Sequence, residues 1–212
     1  MFVGLDCSKR LNMEGRRNYC MASTYDENCC LHYTETCQIA STNININSGP
    51  VCKMMRKSLD IFLKKRGFLP EYIFLYRSCV SDSEKLDILV QEALKLKVFL
   101  SGNGQDAYKI DYKAKLCYMI VNKQTDMKFF EVRSEKHYEN PAPGMVIDNN
   151  VVNTNIYEFY IQPQFVNAGS DSPTNYHVIF DEINVPPEIL EEVTYKLSYY
   201  YFNWDGAIRI PS

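Results

Sequence analysis

Blocks of apolar residues separated by polar ones follow one another along this chain, and they predict strands and helices in turn. Continuous apolar runs at residues 2–5, 72–76 and 116–121 are typical of strands buried on both faces of a sheet. The first run ends at Asp6, which predicts a carboxylate at the carboxyl end of a strand. Further strands are predicted at 18–24 and 32–40, joined as a hairpin, and at 128–132, 157–161 and 176–180. We expect strand 128–132 to lie beside strand 116–121.

Apolar residues at helical spacing predict three helices between these strands. The first covers residues 51–65, ends before Gly67, and has the stripe Met54, Met55, Leu59, Phe62 and Leu63. The second follows a capping-box pattern at 81–84 and has the stripe Leu86, Leu89, Val90, Ala93 and Leu94. The third covers 187–201, and polar loops are predicted at 42–49 and at the proline-rich 140–144. Strands interleaved with helices indicate a mixed α/β sheet.

Composition narrows the class of protein. The 212 residues suit one large domain, and 46% hydrophobic with 23% charged residues excludes disordered and coiled-coil proteins. No apolar stretch reaches the 18 or so residues of a membrane span, and the N-terminus lacks a signal-peptide layout. We therefore expect no membrane association and a cytoplasmic protein, with the nucleus as the alternative. The eight cysteines include no Cys-x-x-Cys pair, which favours reduced thiols over a zinc site.

The net charge of −3 hides an uneven distribution along the chain. Residues 109–136 hold seven basic and four acidic side chains, whereas residues 137–212 hold two basic and ten acidic ones. A basic central segment is compatible with binding to phosphate groups, although the average charge alone argues against a nucleic-acid-binding protein.

Three segments, taken in order, resemble the Piwi domain of the Argonaute/Piwi family. Phe-Val-Gly-Leu-Asp at 2–6 is similar to the family's first strand, and Tyr-Arg-Ser-Cys-Val-Ser at 76–81 to its Tyr-Arg-Asp-Gly-Val-Ser motif. The third segment joins 140–144 through Asp148 to 172–178 and continues into 194–197 and 208–211. Asn-Trp-Asp-Gly at 203–206 favours the Piwi branch. The resemblance implies a ribonuclease H-like fold, a mixed β-sheet flanked by helices, over nearly the whole chain.

The resemblance also implies where a catalytic site would lie. Family members that cut RNA use Asp, Glu, Asp and a final Asp or His to hold divalent cations around the scissile phosphate. Asp6 matches the first of these ligands, whereas the neutral Ser78 stands at the second aspartate. The segment 43–49, where the family has its glutamate, contains no acid, and we expect the final ligand to lie beyond Ser212. Asp82 suits a helix-capping role better than metal binding, so we expect Asp6 to be at most a weak magnesium ligand.

Guide-binding positions of the family fall on five residues of this chain, and by resemblance they contact the guide strand. These residues are Lys123, Lys128, Gln164, Tyr201 and Arg209. Without the resemblance, each lysine would be read as an ordinary solvated surface residue. Asn203 stands where some relatives have arginine. The aromatic run 199–202 is expected to lie mostly in the core, because it falls on a predicted helix.

Three functions remain open at this stage. The first is binding of a small guide RNA and its target RNA without cleavage, together with silencing-complex proteins and with no cofactor. The second is a magnesium-dependent slicer endoribonuclease with atypical metal ligands. The third is a degenerate scaffold that binds proteins and has lost nucleic acid. The resemblance further implies that family members carry other domains, which anchor the two ends of the guide.

Overall fold

Two compact units make up the chain in the computed structural model. The structure describes residues 1–8, 16–40, 48–78, 80–102, 107–109, 111–123, 125–135, 137–152, 156–165, 169–170, 172–201 and 203–208. Unit 1 comprises Met1–Ile120 and Ile179–Asn184, and unit 2 comprises Val121–Val178 and Val185–Pro211. Among these described residues, no helix is both long enough and apolar enough to cross a membrane.

Five neighbouring strands of a mixed sheet lie at the centre of unit 1. These strands are β1 (Phe2–Cys7), β2 (Arg16–Thr24), β3 (His32–Ala40), β4 (Tyr72–Arg77) and β5 (Lys115–Asn122). Their order is β3-β2-β1-β4-β5, with antiparallel pairing from β3 to β1 and parallel pairing from β1 to β5. Parallel strands need helical crossovers, which explains why helices precede β4 and β5 in the chain. The predicted mixed α/β sheet is confirmed.

The helix α1 (Ser48–Arg66) packs its predicted apolar stripe against this sheet. Met54, Met55, Leu59 and Phe62 are buried, as the spacing predicted. The helix begins at Ser48, so the predicted loop 42–49 is wrong at its last two residues, and residues 42–47 lie outside the described part of the chain. At the other end the chain reverses at Gly67, whose positive φ of 79° favours glycine.

The second helical segment of unit 1 buries only part of the predicted stripe, since Ala93 is buried and Leu89 packs partly buried against the core. It runs through a 3₁₀ turn (Asp82–Glu84), α2 (Lys85–Ile88), a π-helical turn (Leu89–Ala93) and α3 (Leu94–Leu100). Leu86, Val90 and Leu94 of the predicted stripe are exposed. The buried face consists of Ile88, Glu92, Ala93, Leu96, Phe99 and Leu100. The helix therefore has two apolar faces, and the face that contains Glu92 packs on the sheet.

Unit 2 contains a second set of short strands and one helix. The strands are β6 (Glu131–Ser134), β7 (His137–Glu139), β8 (Val146–Ile147), β9 (Glu158–Ile161) and β10 (Thr174–Asp181), of which Thr174–Val178 belongs to this unit. β9 pairs antiparallel with both β8 and β10. The prediction of strand 128–132 beside 116–121 is wrong, because β6 pairs with β7 in a two-stranded sheet of its own.

The helix of unit 2 is shorter than predicted. It is α4 (Pro187–Leu197), and proline occupies its first position as expected. Beyond Leu197 the backbone N–H groups of residues 198–200 donate to carbonyls three residues earlier, at 3.0–3.2 Å, which is the tighter pattern of a 3₁₀ turn. The predicted extension of the helix to residue 201 is therefore wrong.

Candidate functional site

Asp6 and Ser78 meet at one edge of the sheet in unit 1. β1 and β4 are parallel neighbours with Leu5 opposite Arg77, so the residues that follow these two lie side by side. The backbone N–H of Ser78 donates to the carbonyl oxygen of Leu5 at 3.0 Å. The Ser78 hydroxyl donates a hydrogen bond to Oδ1 of Asp6. The structure thus brings together the two residues that the family resemblance assigns to catalytic positions.

Two further described groups near the Asp6 carboxylate are also neutral. The backbone N–H of Cys7 donates to the same Oδ1 at 2.8 Å. Cys20 lies directly opposite Asp6 on β2. Burial, and in second place the negative charge of Asp6, raise the pKa of the Cys20 thiol, which keeps this thiol protonated at neutral pH. Among the described residues, the Asp6 carboxylate thus lies beside a backbone amide, a hydroxyl and a thiol, none of which carries a negative charge.

This set of groups does not fit a pair of divalent cations. Magnesium prefers oxygen ligands with carboxylates among them, and a pair of such ions needs carboxylates from several strand ends. Across the described ranges, no group of three or more His, Cys, Asp or Glu side chains is placed to hold a metal ion. Asp82 points into solvent and forms an ion pair with Lys85 at 2.6 Å. Of the acid-free segment 43–49, residues 43–47 lie outside the described residues.

A buried ion pair lies directly behind Ser78. Arg77 is 2% exposed and Glu92 is 0% exposed, and Nε of Arg77 lies 3.1 Å from Oε1 of Glu92. The hydroxyl of Tyr118 on β5 donates to the same carboxylate oxygen at 3.0 Å. Burial alone would lower the pKa of Arg77, but the Glu92 carboxylate outweighs it and raises this pKa, so the guanidinium stays charged. Nη1 of Arg77 also donates to the carbonyl oxygen of Ser78 at 2.6 Å, which fixes the backbone of the candidate site.

Sequence reasoning missed Cys20, Glu92 and Tyr118 as neighbours of the site. Cys20 could have been placed from the hairpin, because a strand register pairs each residue with one opposite residue. Glu92 gave a weaker signal, since a single acid within an apolar helix usually faces solvent. Only the arrangement of β4 against the helix shows that it neutralises Arg77.

The predicted guide-binding residue Lys128 lies on the surface of unit 2. Its ammonium group donates to the hydroxyl of Ser170 at 2.5 Å and remains exposed. The Thr125 hydroxyl donates to the carbonyl oxygen of Pro173 at 3.1 Å, and the Asn140 amide donates to that of Gly169 at 2.7 Å. The segments around residues 125–128, 140 and 169–173 therefore lie close together, with Lys128 among them.

The other predicted guide-binding residues have different surroundings. Lys123 is half-buried, just after the end of β5. The side-chain amide of Gln164 donates to the carbonyl oxygen of Ala207 at 2.8 Å, so it holds the segment after α4 in place. Tyr201 is exposed, and Arg209 lies outside the described residues. The structure does not link Lys128 to Gln164 or Tyr201 through any hydrogen bond described here.

The aromatic run after α4 is not part of the core. Tyr199, Tyr200 and Tyr201 are exposed, and so is Trp204. The expectation that most of this run is buried is therefore wrong. The reason is the early end of the helix at Leu197, because the three tyrosines that follow the buried Ser198 no longer continue its buried face. The ring of Tyr199 contacts Tyr195 edge-on, with centroids 5.4 Å apart.

Comparison with known proteins gives a consistent result. The Piwi domain profile matches residues 1–212. Piwi-like protein Ago3 of Bombyx mori is 28% identical over 212 residues, which is 100% of this chain and 22% of that protein. Piwi-like protein Siwi of Bombyx mori is 35% identical over 151 residues, which covers 71% of this chain and 16% of that protein. This chain thus spans less than a quarter of the relatives' length.

Two solved structures have the same fold. The crystal structure of Drosophila Piwi matches with a TM-score of 0.81 at 22% identity, over 99% of this chain and 27% of that chain. The structure of Kluyveromyces polysporus Argonaute with a guide RNA matches with a TM-score of 0.81 at 19% identity, over 99% of this chain and 26% of that chain. These likenesses confirm the predicted ribonuclease H-like fold.

Proposed function

The chain belongs to the Piwi domain family, and from that premise we propose that it binds a small guide RNA and the target RNA paired with it, without cutting the target. It acts in RNA silencing through recruited partner proteins, in the cytoplasm or the nucleus. The observation that carries the absence of cutting is the hydrogen bond from the Ser78 hydroxyl to Asp6.

The chemistry of this pair explains why cutting is not expected. Hydrolysis of a phosphodiester by two divalent cations needs anionic ligands that hold the cations on either side of the phosphate. Ser78 supplies a neutral hydroxyl where an aspartate would supply a charge. This hydroxyl also donates a hydrogen bond to Oδ1 of Asp6, so that oxygen already has a partner. The thiol of Cys20 on the other side stays neutral, because its pKa is raised by burial and by Asp6. Neither Ser78 nor Cys20 therefore adds a negative charge to the carboxylate of Asp6.

Binding to RNA is supported by charge in unit 2. Cationic side chains on a surface neutralise phosphates and release counterions, and this binding does not depend on base sequence. Lys128 is exposed beside the Ser170 hydroxyl, so the two groups offer adjacent donors to a phosphate. Lys123 adds a second positive charge at the end of β5. A structure of a relative from Kluyveromyces polysporus was solved with a guide RNA, which supports the same class of ligand here.

A cleavage assay tests the catalytic half of the proposal. The natural full-length polypeptide is loaded with a guide, magnesium and a labelled target that matches the guide, and the products are separated by size. We expect intact target at all times. Cut product that depends on magnesium and on Asp6 would refute the proposal and establish the slicer instead. An Asp6→Asn variant is the control, because it keeps the size of the side chain and removes its charge.

A binding assay tests the RNA half independently of cleavage. Fluorescence anisotropy with a labelled single-stranded RNA is measured over a series of salt concentrations. Lys128→Glu should weaken binding and reduce the slope of log K against log salt by about 0.7–0.9 for the lost phosphate contact. Lys64→Glu is the matched control, since Lys64 is exposed on α1 and the change in net charge is the same. Equal affinities of both variants and the natural chain would favour the protein scaffold.

A further inference from the structure

The second helical segment of unit 1 presents an exposed apolar face, which we call the outer stripe. It consists of Leu86, Val90, Leu94 and Val98, which are 69%, 43%, 41% and 54% exposed. The four side chains follow one another at a spacing of four residues. Single exposed apolar residues are common on proteins, but a continuous row of them marks an interaction surface.

The π-helical turn keeps the outer stripe straight. In an α-helix with 3.6 residues per turn, a spacing of four overshoots each turn by roughly 40°. The π-helical turn Leu89–Ala93 has wider turns with bonds from residue i to i+5, so it rotates the row back. The stripe therefore extends along one side of the helix for about 18 Å, since each residue adds about 1.5 Å. The same turn directs Glu92 inward to Arg77, so the buried ion pair and the outer stripe have a common origin.

We propose that the outer stripe binds the outer stripe of a second copy of this chain, with the two helices antiparallel about a two-fold axis. The order of side chains is Leu, Val, Leu, Val, and its reverse is Val, Leu, Val, Leu. An antiparallel pair centred between Val90 and Leu94 therefore places Leu86 opposite Val98 and Val90 opposite Leu94. Each level of the contact then pairs one large and one small side chain, which is the condition for even packing along a two-fold interface.

The charged residues beside the outer stripe fit the same antiparallel arrangement about a two-fold axis. Asp87, Gln91 and Lys95 each follow a stripe residue directly, so they share one flank of the helix. Asp87 and Lys95 are both exposed. In an antiparallel pair this flank meets its own counterpart, which sets Asp87 of one copy near Lys95 of the other and Gln91 near Gln91. Flanking charges of this kind select the orientation of paired helices. A parallel pair loses the match, because this flank then meets the opposite one.

The size of the surface sets the strength of the contact. Four partly exposed side chains amount to a patch on the order of a few hundred Å² per copy. A stable interface buries about 800 Å² per partner. We therefore expect self-association that is weak, with a dissociation constant in the micromolar to millimolar range.

Sedimentation equilibrium of the full chain, from about 10 μM to about 1 mM, tests the proposal. The natural chain should dimerise within this range, and Leu94→Glu should abolish the dimer. Val132→Glu is the matched control, because Val132 is an exposed apolar residue of unit 2 outside the stripe. It should dimerise like the natural chain. Melting curves by circular dichroism establish that each variant is folded.

A charge reversal tests the orientation of the helices. Asp87→Lys should weaken the dimer about tenfold, since it replaces two attractive contacts by repulsive ones. Asp87→Lys combined with Lys95→Asp should restore the natural dissociation constant, because the charges are exchanged on both copies. A natural chain that stays monomeric at about 1 mM overturns the proposal. A dimer whose dissociation constant is unchanged by both Leu94→Glu and Asp87→Lys overturns the proposal as well, since the contact between the copies then lies elsewhere.

Discussion

Replacing Glu92 by glutamine is expected to destabilise unit 1 by about 3–5 kcal/mol, the usual effect of removing one partner from a buried ion pair. Arg77 and Glu92 are 2% and 0% exposed, so water cannot compensate for the lost charge. The glutamine oxygen can still accept the hydrogen bond of Tyr118, but it cannot neutralise the guanidinium. Among the described residues, the contacts of Arg77 with the Ser78 carbonyl oxygen and with the ring of Tyr19, 5.5 Å from its carbon Cζ, carry no negative charge that could replace the carboxylate.

Hydrogen exchange measured by mass spectrometry resolves this effect within unit 1. A loss of about 3–5 kcal/mol corresponds to exchange roughly 150- to 4,000-fold faster in β4 and β5 when these strands open with the unit. The fluorescence of Trp204 reports on unit 2 alone, because it is the one tryptophan of the chain. Glu192→Gln on α4 is the control, since its ion pair with Lys196 is more than half exposed on both sides. That substitution should change stability by about 0.5 kcal/mol or less.

A double substitution separates charge burial from packing. Arg77→Met combined with Glu92→Leu removes both charges and keeps apolar volume at the two positions. It should be less destabilising than Glu92→Gln, because no charge is left unpaired in the core. Exchange in β4 that is unchanged in Glu92→Gln would refute the reasoning. A double variant that is less stable than the single one would refute it as well, since the cause would then be shape and not charge.

Three further predictions concern other residues of unit 1. Asp6→Asn should lower the pKa of Cys20, because the adjacent negative charge is gone while the burial of the thiol remains. Alkylation of Cys20, followed by peptide mapping, should therefore be faster in this variant. An unchanged rate of alkylation would contradict the contact between Asp6 and Cys20. The Ser81 hydroxyl and N–H lower the pKa of Glu84, so the stability they add is present above an ordinary glutamate pKa of about 4.3 and is lost as pH falls through the lowered value. Ser81→Ala should therefore cost about 0.5–1 kcal/mol in urea unfolding at pH 7 and progressively less as the pH falls through the lowered pKa of Glu84, whereas a loss independent of pH would argue against this capping contact. Gly102→Ala should destabilise unit 1 by about 1–3 kcal/mol, because φ of Gly102 is 70° and the new Cβ would lie 2.7 Å from a backbone oxygen. A change in the free energy of unfolding below about 0.5 kcal/mol, measured by urea unfolding, would exclude that strain.

The presence of most strands and the place of Asp6 at the end of the first could be predicted from the chain itself. Apolar runs fixed β1, β4 and β5, and helical spacing fixed the buried face of α1. The resemblance to the Piwi family assigned Asp6 and Ser78 to one site, and the parallel pairing of β1 with β4 in the structure places them side by side. The neutral hydroxyl at position 78 is a property of the sequence alone. These features depend on the periodicity of side chains within one element, which local sequence determines.

The parts that failed depend on contacts between elements distant in the chain. The second helix of unit 1 has two apolar faces, and periodicity cannot choose between them. The buried Arg77 at the end of β4 determines which face of this helix packs on the sheet. Its guanidinium needs the carboxylate of Glu92 as a partner, so the helix face that contains Glu92 points inward.

The consequences of that choice extend to the surface and to the site. Leu86, Val90 and Leu94 are left outside, where they form the outer stripe. Cys20 likewise reaches Asp6 only through the pairing of β1 with β2. Sequence thus determined which residues are available for the core and for the site. Tertiary structure decided which of them are used, because the free energy of burying a charge depends on the partner that meets it.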